Sequence, residues 1–334
     1  GGTVFEDYNA DGVKQVGEYI GVPNITVYAF GADGTTYGPY ITDGNGNYTA
    51  SIPTSNYPIR VEFSNIPAEY GGGFSTLNGS DGRTTVQFIA SPDCKVDLGV
   101  TSNSSYSQTS PYIIIPIYKN GDPLLNGTSK TSPALLAFPQ TNTGDPGINT
   151  FAITADKVGS LWAQSYNRKT KKLFSAAFLR RHVGLGPGGY DAIYITNISN
   201  ISSPSVPVYF NLSSKGINVG TIPSNSARML PANLDQPSMD TIGGVFKKVC
   251  YQGIGGMDIS DDGTTLFVVN VLNNTLHKLD LSTFNTSNNL ADITATGSYT
   301  IPSLGCVGGV QKSFACKYYK GKVYVGTICN GETT

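Results

Sequence analysis

Apolar residues along this chain recur mostly at every second position. Gly2-Thr-Val-Phe5 alternates, as does Gly21-Val-Pro-Asn-Ile-Thr-Val-Tyr-Ala-Phe30, and so do Tyr57-Pro-Ile-Arg-Val-Glu-Phe63 and Lys95-Val-Asp-Leu-Gly-Val100. Runs of the same kind follow at Gly159-Ser-Leu-Trp-Ala-Gln-Ser-Tyr166, Lys172-Leu-Phe-Ser-Ala-Ala-Phe178, Asp191-Ala-Ile-Tyr-Ile-Thr196 and Thr265-Leu-Phe-Val-Val-Asn270. Alternation with β-branched and aromatic residues places one set of side chains on one face of a strand. Gly, Asn, Asp and Pro clusters separate the runs about every 8–12 residues, the spacing of strands joined by turns. The pattern predicts an all-β chain with almost no helix.

Between the first two runs lies an acidic loop. Oxygen-bearing side chains fall at Asp7, Asn9 and Asp11, then comes Gly12, and a carboxylate closes the stretch at Glu18. Counted from Asp7, these occupy positions 1, 3, 5, 6 and 12 of a calcium loop. A hard cation of that size needs six or more oxygens at about 2.3–2.6 Å, so alternate residues must point inward and a glycine must allow the sharp turn. The expected Ca²⁺ ligands are Asp7, Asn9, Asp11, the Val13 carbonyl, Gln15 directly or through water, and Glu18. The plainer alternative is a polar turn between two strands.

The loop and its flanks resemble the B-type repeat of serine–aspartate repeat surface proteins, within the Cna-B-like group of small β-sandwiches. Further motifs are Ile41-Thr-Asp-Gly-Asn-Gly-Asn-Tyr48-Thr, Ile52-Pro, the strand ending at Phe63 and a last strand ending at Val100. The resemblance covers about residues 1–100. It implies an extracellular, calcium-stabilised spacer or stalk. The group's usual Asp at loop position 9 is Gln15 here, which implies weaker binding. Some members carry a Lys–Asn crosslink. Lys14 lies inside the loop and the last strand holds Asp97 but no Asn, so no crosslink is expected.

Composition agrees with that setting. Charged residues make up 13% of 334, against about a quarter in an ordinary soluble domain. The net charge of −1 gives no pull toward nucleic acid or an anionic membrane. No apolar run approaches the ~18 residues of a membrane span. No signal peptide is visible, as a processed N-terminus would leave it. The basic run Arg168-Lys-Thr-Lys-Lys172 reads as a solvated hairpin tip. Five cysteines (Cys94, Cys250, Cys306, Cys316, Cys329) form no CxxC, and only His182 and His277 accompany them, which disfavours zinc. Two disulfides with one free thiol, or free thiols throughout, are both open, and the pairing is not legible. Ten Asn-x-Ser/Thr sequons occur, at Asn24, Asn47, Asn78, Asn103, Asn126, Asn197, Asn200, Asn211, Asn273 and Asn285. They matter only where the source glycosylates such sites.

Residues 101–150 change character. Polar stretches at 101–110 and 140–149 flank Tyr112-Ile-Ile-Ile-Pro-Ile-Tyr118 and Leu135-Leu-Ala-Phe138. Apolar runs need burial, so this part reads as an ordered connector. From Phe151 the grammar is that of β-propeller blades: strand, a turn such as Asn167-Arg-Lys-Thr170 or Asp261-Asp-Gly263, strand, strand. Two blades and the start of a third, from Ser313, can be read over 151–334. These residues, with the His182 segment, resemble the first blades of propellers in large secreted bacterial proteins. Closed propellers have about four to eight blades. The expectation is a fragment of a longer polypeptide, or an assembly of copies.

Little points to chemistry. Gly184-Leu-Gly-Pro-Gly-Gly189 lacks the P-loop lysine and the dinucleotide spacing, and no Gly-x-Ser-x-Gly elbow occurs. His182, beside Arg180 and Arg181, is the best catalytic candidate; otherwise it orders its turn. The expectation is not an enzyme but an extracellular cell-surface structural or adhesive protein, an adhesin or filament subunit. Its partners would be neighbouring copies or the rest of the same polypeptide, with surface glycans as a further candidate. The alternative is a secreted propeller enzyme or carbohydrate binder that uses the N-terminal domain as a stalk.

Overall fold

A computed structural model describes residues 1–8, 10–74, 84–105, 110–142, 150–319 and 321–331. Asn9 and the sequon at Asn78, together with parts of the two polar stretches at 101–110 and 140–149, lie outside the described residues. The chain divides into two compact units, one on Gly1–Thr109 with Tyr319–Lys322 and one on Ser110–Tyr318 with Val323–Thr334.

The first unit is a β-sandwich. Its strands are β1 (Gly2–Glu6), β2 (Thr26–Phe30), β3 (Thr36–Ile41), β4 (Asn47–Tyr48), β5 (Ile59–Ser64), β6 (Tyr70–Phe74), β7 (Val86–Ile89) and β8 (Leu98–Ser102). They form two four-stranded sheets, β4-β1-β8-β6 and β3-β2-β5-β7. The period-2 pattern explains the layering. On β5, Ile59, Val61 and Phe63 are buried, while Arg60 and Ser64 face out. Val4, Val22, Ile25, Val27, Leu98 and Val100 join them in the core. The first and last strands, β1 and β8, pair in parallel with Val4 opposite Leu98 and Glu6 opposite Val100.

The second unit is also built from sheets. Strands β9 (Tyr112–Pro116), β10 (Pro133–Pro139) and β11 (Phe151–Thr154) make a three-stranded sheet. Then β12 (Leu161–Asn167), β13 (Lys172–Ala177), β14 (Ala192–Asn197) and β15 (Val208–Asn211) form one antiparallel meander. A second meander contains β16 (Ile254–Ile259), β17 (Thr265–Asn270), β18 (Thr275–Asp280) and β19 (Thr294–Thr300). Strands β20 (Gln311–Tyr319) and β21 (Lys322–Cys329) make a two-stranded sheet. One apolar core runs through the three-stranded sheet and both meanders, from Leu135 through Phe174 and Tyr194 to Leu266 and Ile293. The α-helices among the described residues have four to six residues each, so the fold is all-β as the alternation predicts.

Three details go beyond the sequence reading. Within the stretch read as an ordered connector, 101–150, the residues up to Thr109 belong to the first unit, while β9 and β10 join a sheet of the second, with Ala134, Leu135, Leu136 and Ala137 all buried on β10. Its edge strand β9 keeps Tyr112, Ile113 and Ile115 exposed. The basic run 168–172 is only in part a solvated tip: Lys169 and Lys171 are exposed, but its two ends are engaged. Lys172 is buried, donates from Nζ to Asn288 Oδ1 at 2.6 Å and lies over the Phe284 ring, and Arg168 reaches Asp261. The cysteines supply one bridge, Cys306–Cys329, which ties the loop before β20 to the end of β21; Cys94, Cys250 and Cys316 are free thiols.

Leu98 is wholly buried in the first unit's core. Leu98→Ala is expected to lower stability by about 2–5 kcal/mol. Val206→Ala, at an exposed side chain, should stay within about 0.5 kcal/mol. Urea unfolding of the two variants checks both values.

Candidate functional site

The acidic loop follows β1, and the β1–β8 pairing fixes its start. The Asp7 amide donates to the Val100 carbonyl at 2.9 Å, and the Glu6 amide to Ile20 O at 2.8 Å, so both ends of the loop are anchored. The Asp7 side chain then lies over Gly99 of β8. A methyl group at Gly99 would stand 2.7 Å from Asp7 Cβ and 2.9 Å from its carboxyl carbon, and would also strike Oδ2. Glycine at 99 therefore leaves the space that the carboxylate fills.

Asp7 organises the turn. Its Oδ1 accepts from Ala10 N at 2.6 Å and Asp11 N at 3.3 Å, and its Oδ2 accepts from Gly12 N at 2.7 Å. Gly12 takes φ +76°, where a side chain would be strained. Glu18 closes the loop from the far end. Its Oε1 accepts from Tyr8 N at 2.9 Å and its Oε2 from Gln15 N at 2.8 Å. Asp11 lies at the exposed rim, accepting from Val13 N at 2.8 Å and from Gln15 Nε2 at 2.6 Å. Of the expected ligands, Asp7 and Glu18 are buried, whereas Asp11, Val13 and Gln15 are exposed. Asn9 lies outside the described residues. Among the described residues, no three His, Cys, Asp or Glu side chains converge tightly enough to hold an ion together.

The electrostatics still suit a cation. Burial pushes the Asp7 carboxyl above the ordinary carboxylate range; backbone amides oppose this and the charge of Asp11 adds to it. Burial likewise raises Glu18, with the charges of Asp7 and Asp11 adding to it. Two desolvated acids repelled by their neighbours are what a hard divalent ion relieves. The donor set is all oxygen, as Ca²⁺ requires, and the fit is chemical rather than a preformed shell.

His182 sits in a different arrangement, within the second unit. It adopts φ +68°. Its amide donates to Asp240 Oδ2 at 2.8 Å, and its Nδ1 stands 3.3 Å from Ser238 Oγ. Asp240 is held in turn by Arg228, whose Nε and Nη2 donate to Oδ1 and Oδ2 at 2.9 and 2.7 Å. Nη2 of Arg228 also donates to the carbonyls of Arg180 and Val183 at 3.0 and 3.1 Å. Both side chains of this ion pair are fully buried. Burial pushes Asp240 up, yet the Arg228 bonds and the His182 amide hold its carboxyl below the ordinary range. The geometry makes His182 a turn residue pinned by a buried fork. Sequence reading missed Arg228 and Asp240. A lone Arg and Asp in a polar stretch give no signal, since their partners at 180–183 are distant in sequence.

No protein-family profile matches the chain. Colossin-A and Colossin-D of Dictyostelium discoideum are each 24% identical to it, over 99% and 66% of this chain and 3% and 22% of their own lengths. The serine-aspartate repeat-containing protein D of Staphylococcus aureus (strain Newman) is 42% identical over 72 residues, 21% of this chain and 5% of that protein. The chain thus spans a small part of each of these relatives. A solved structure of a protein from Lactobacillus plantarum aligns with 92% of this chain and 76% of its own, at 10% identity and a TM-score of 0.35.

The two acidic sites should respond to pH in opposite directions. Asp240 has a depressed folded-state pKa, so its contribution is present above the ordinary Asp range and is lost as pH falls through the lowered value. Asp7 and Glu18 have raised folded-state values, so without a cation they favour folding at low pH, and that contribution is lost as pH rises through them. Asp240→Asn leaves Arg228 buried without a counter-charge and should cost about 3–5 kcal/mol at neutral pH. Asp7→Asn should flatten the neutral-pH loss in the metal-free protein. Urea titrations from pH 3 to 8 read both effects.

Proposed function

We propose that this chain is part of an extracellular cell-surface protein with a structural or adhesive role. In this reading the first unit is a calcium-rigidified spacer and the second a propeller-like platform, and the protein works by assembly and contact rather than catalysis. The observation that carries it is the loop after β1. Two carboxylates, Asp7 and Glu18, are buried there and repelled by neighbouring acids. The 42% identity over 72 residues to the staphylococcal protein supports the same reading. So do the Cys306–Cys329 bridge, which suits an oxidising compartment, and the low charge content.

Bound Ca²⁺ would take oxygens from Asp7, Asp11, Glu18, the Val13 carbonyl and Gln15 or a water, with Asn9 as a further donor. It would exchange backbone-satisfied acids for a cross-link between the two ends of the loop, stiffening the joint between β1 and β2. Partners in this reading are neighbouring copies or further parts of the same polypeptide, and neutral surface glycans. His182, pinned by Asp240, orders its turn and is not assigned to catalysis.

The test is a thermal melt of the full chain at pH 7 in calcium and in chelator. Calcium at about a hundred times its Kd should stabilise the folded state by about 2.7 kcal/mol, a rise in Tm of several degrees. Glu18→Gln should abolish the shift. Because cation binding needs ionised acids, the shift should also fade as pH falls through the raised values of Asp7 and Glu18. Coincident melts with calcium and chelator at pH 7, or a shift that survives Glu18→Gln, overturn the reading.

A further inference from the structure

A groove of about 260 Å³ opens in the second unit between β12, β16 and β20, with Trp162, Gln164, Gly256, Phe314 and Cys316 among its walls. Gly256 makes it possible. A methyl group there would stand 2.8 Å from the Phe314 carbonyl oxygen, so only glycine lets β20 lie this close to β16.

Trp162 is the chain's one tryptophan, and it is 44% exposed. Its position is nonetheless fixed. The indole centroid lies 5.6 Å from that of Phe178, and 6.2 Å from Phe314 in an edge-on contact. Phe178 and Phe314 pack against each other at 6.1 Å. A braced, exposed indole is costly to leave in water and loses little entropy when a ligand covers it. Two residues further along β12, past an irregularity in its pairing with β13, Gln164 also lines the groove. Its Nε2 is shielded from solvent and has no hydrogen-bond partner. An unmet buried amide donor is itself a cost, so turning it toward a ligand oxygen is a gain.

The lining carries no Asp, Glu, Lys, Arg or His side chain. Cys316 adds no charge either, since burial pushes its thiol up to about 12. The ligand must therefore be neutral. It must offer an apolar face to the indole and an oxygen at its rim to the amide. A pyranose ring has both: axial C–H groups on one face and hydroxyls around the edge. The volume is slightly below that of pockets for drug-sized ligands, about 300 Å³ upward, and suits one sugar ring.

We propose that this groove binds one neutral pyranose residue of a glycan, stacked on Trp162 and hydrogen-bonded by Gln164. The inference rests on the surface-protein reading only for where such a glycan would be met. The test therefore runs in calcium and in chelator, so that loss of the calcium effect and loss of sugar binding are separate results.

Because Trp162 is the one tryptophan beside 20 tyrosines, emission under tryptophan-selective excitation is specific to the groove. The full chain is titrated with methyl α-mannopyranoside, N-acetylglucosamine, galactose and cellobiose, with N-acetylneuraminic acid as the charged control. At least one neutral sugar should give a saturable change in emission, with a Kd of the order of a millimolar for one ring and one amide bond. The charged control should give none. By ligand-observed NMR, Trp162→Ala should abolish binding. Gln164→Ala should weaken it roughly two- to tenfold without lowering the melting temperature, and Trp162→Phe should retain part of it. The proposal is overturned if no neutral sugar saturates the signal or if Trp162→Ala binds as well as the parent. It is also overturned if emission shifts with protein concentration alone, which would mean that a second copy covers the groove.

Discussion

The parallel pairing of β1 with β8 is the constraint on which the first unit depends. It joins the two ends of that unit's sequence, separated by more than ninety residues, through Val4–Leu98 and Glu6–Val100. A contact that distant in sequence carries a loop-closure cost, and the buried Val4, Leu98 and Val100 side chains repay it by joining both sheets' core. The same pairing sets the acidic loop. Asp7 leaves β1 with its amide on Val100 and its carboxylate over Gly99, so the loop's geometry is inherited from the sandwich rather than built locally. The carboxylates of Asp7 and Glu18 then take the place of a small core, tying up five backbone amides in a segment that otherwise lacks regular structure.

The second unit meets a similar problem without an acidic loop. Its long connection between β15 and β16 sends Leu212, Ile217, Val219 and Val245 into the core, and polar forks hold the stretches between them. Arg228 grips Asp240 on one side and the 180–183 turn on the other. Asn225 donates to Asp122 Oδ1 and to the Leu185 carbonyl while accepting from the Leu185 amide. Each buried polar atom paired in this way avoids a desolvation cost of about 1–3 kcal/mol. Replacing one partner is therefore more damaging than the modest net value of the bond suggests.

What could be read in the sequence was local. Period-2 alternation located β1, β2, β5 and β8 in the first unit but not β6 or β7, and the Asn167–Thr170 and Asp261–Gly263 turns fall where β12 meets β13 and β16 meets β17. Spacing alone marked Asp7 and Glu18 as the two ends of the acidic loop, but not as acceptors of its backbone amides. What could not be read was set by distant contacts. Lys172 is drawn inside by Asn288 and Phe284, and β10 is buried by residues well downstream of it. The Cys306–Cys329 pairing depends on the β20–β21 hairpin bringing the two together. Propensity and spacing say nothing about such encounters, because each is decided by the packing of whole sheets.

The groove at Trp162 shows how exposure and fixity combine. Alternation on β12 buries Ala163 and Ser165 and turns Trp162, Gln164 and Tyr166 the other way. On β16 the equivalent space is given up by Gly255 and Gly256, and β20 moves in until backbone meets backbone. That close approach carries Phe314 against Trp162 and leaves a concavity beside the indole instead of a flat face. A larger side chain at 256 would push β20 away, separate the rings and remove the concavity, with the strands still in place. The glycine therefore shapes the recognition surface without contributing a side chain to it.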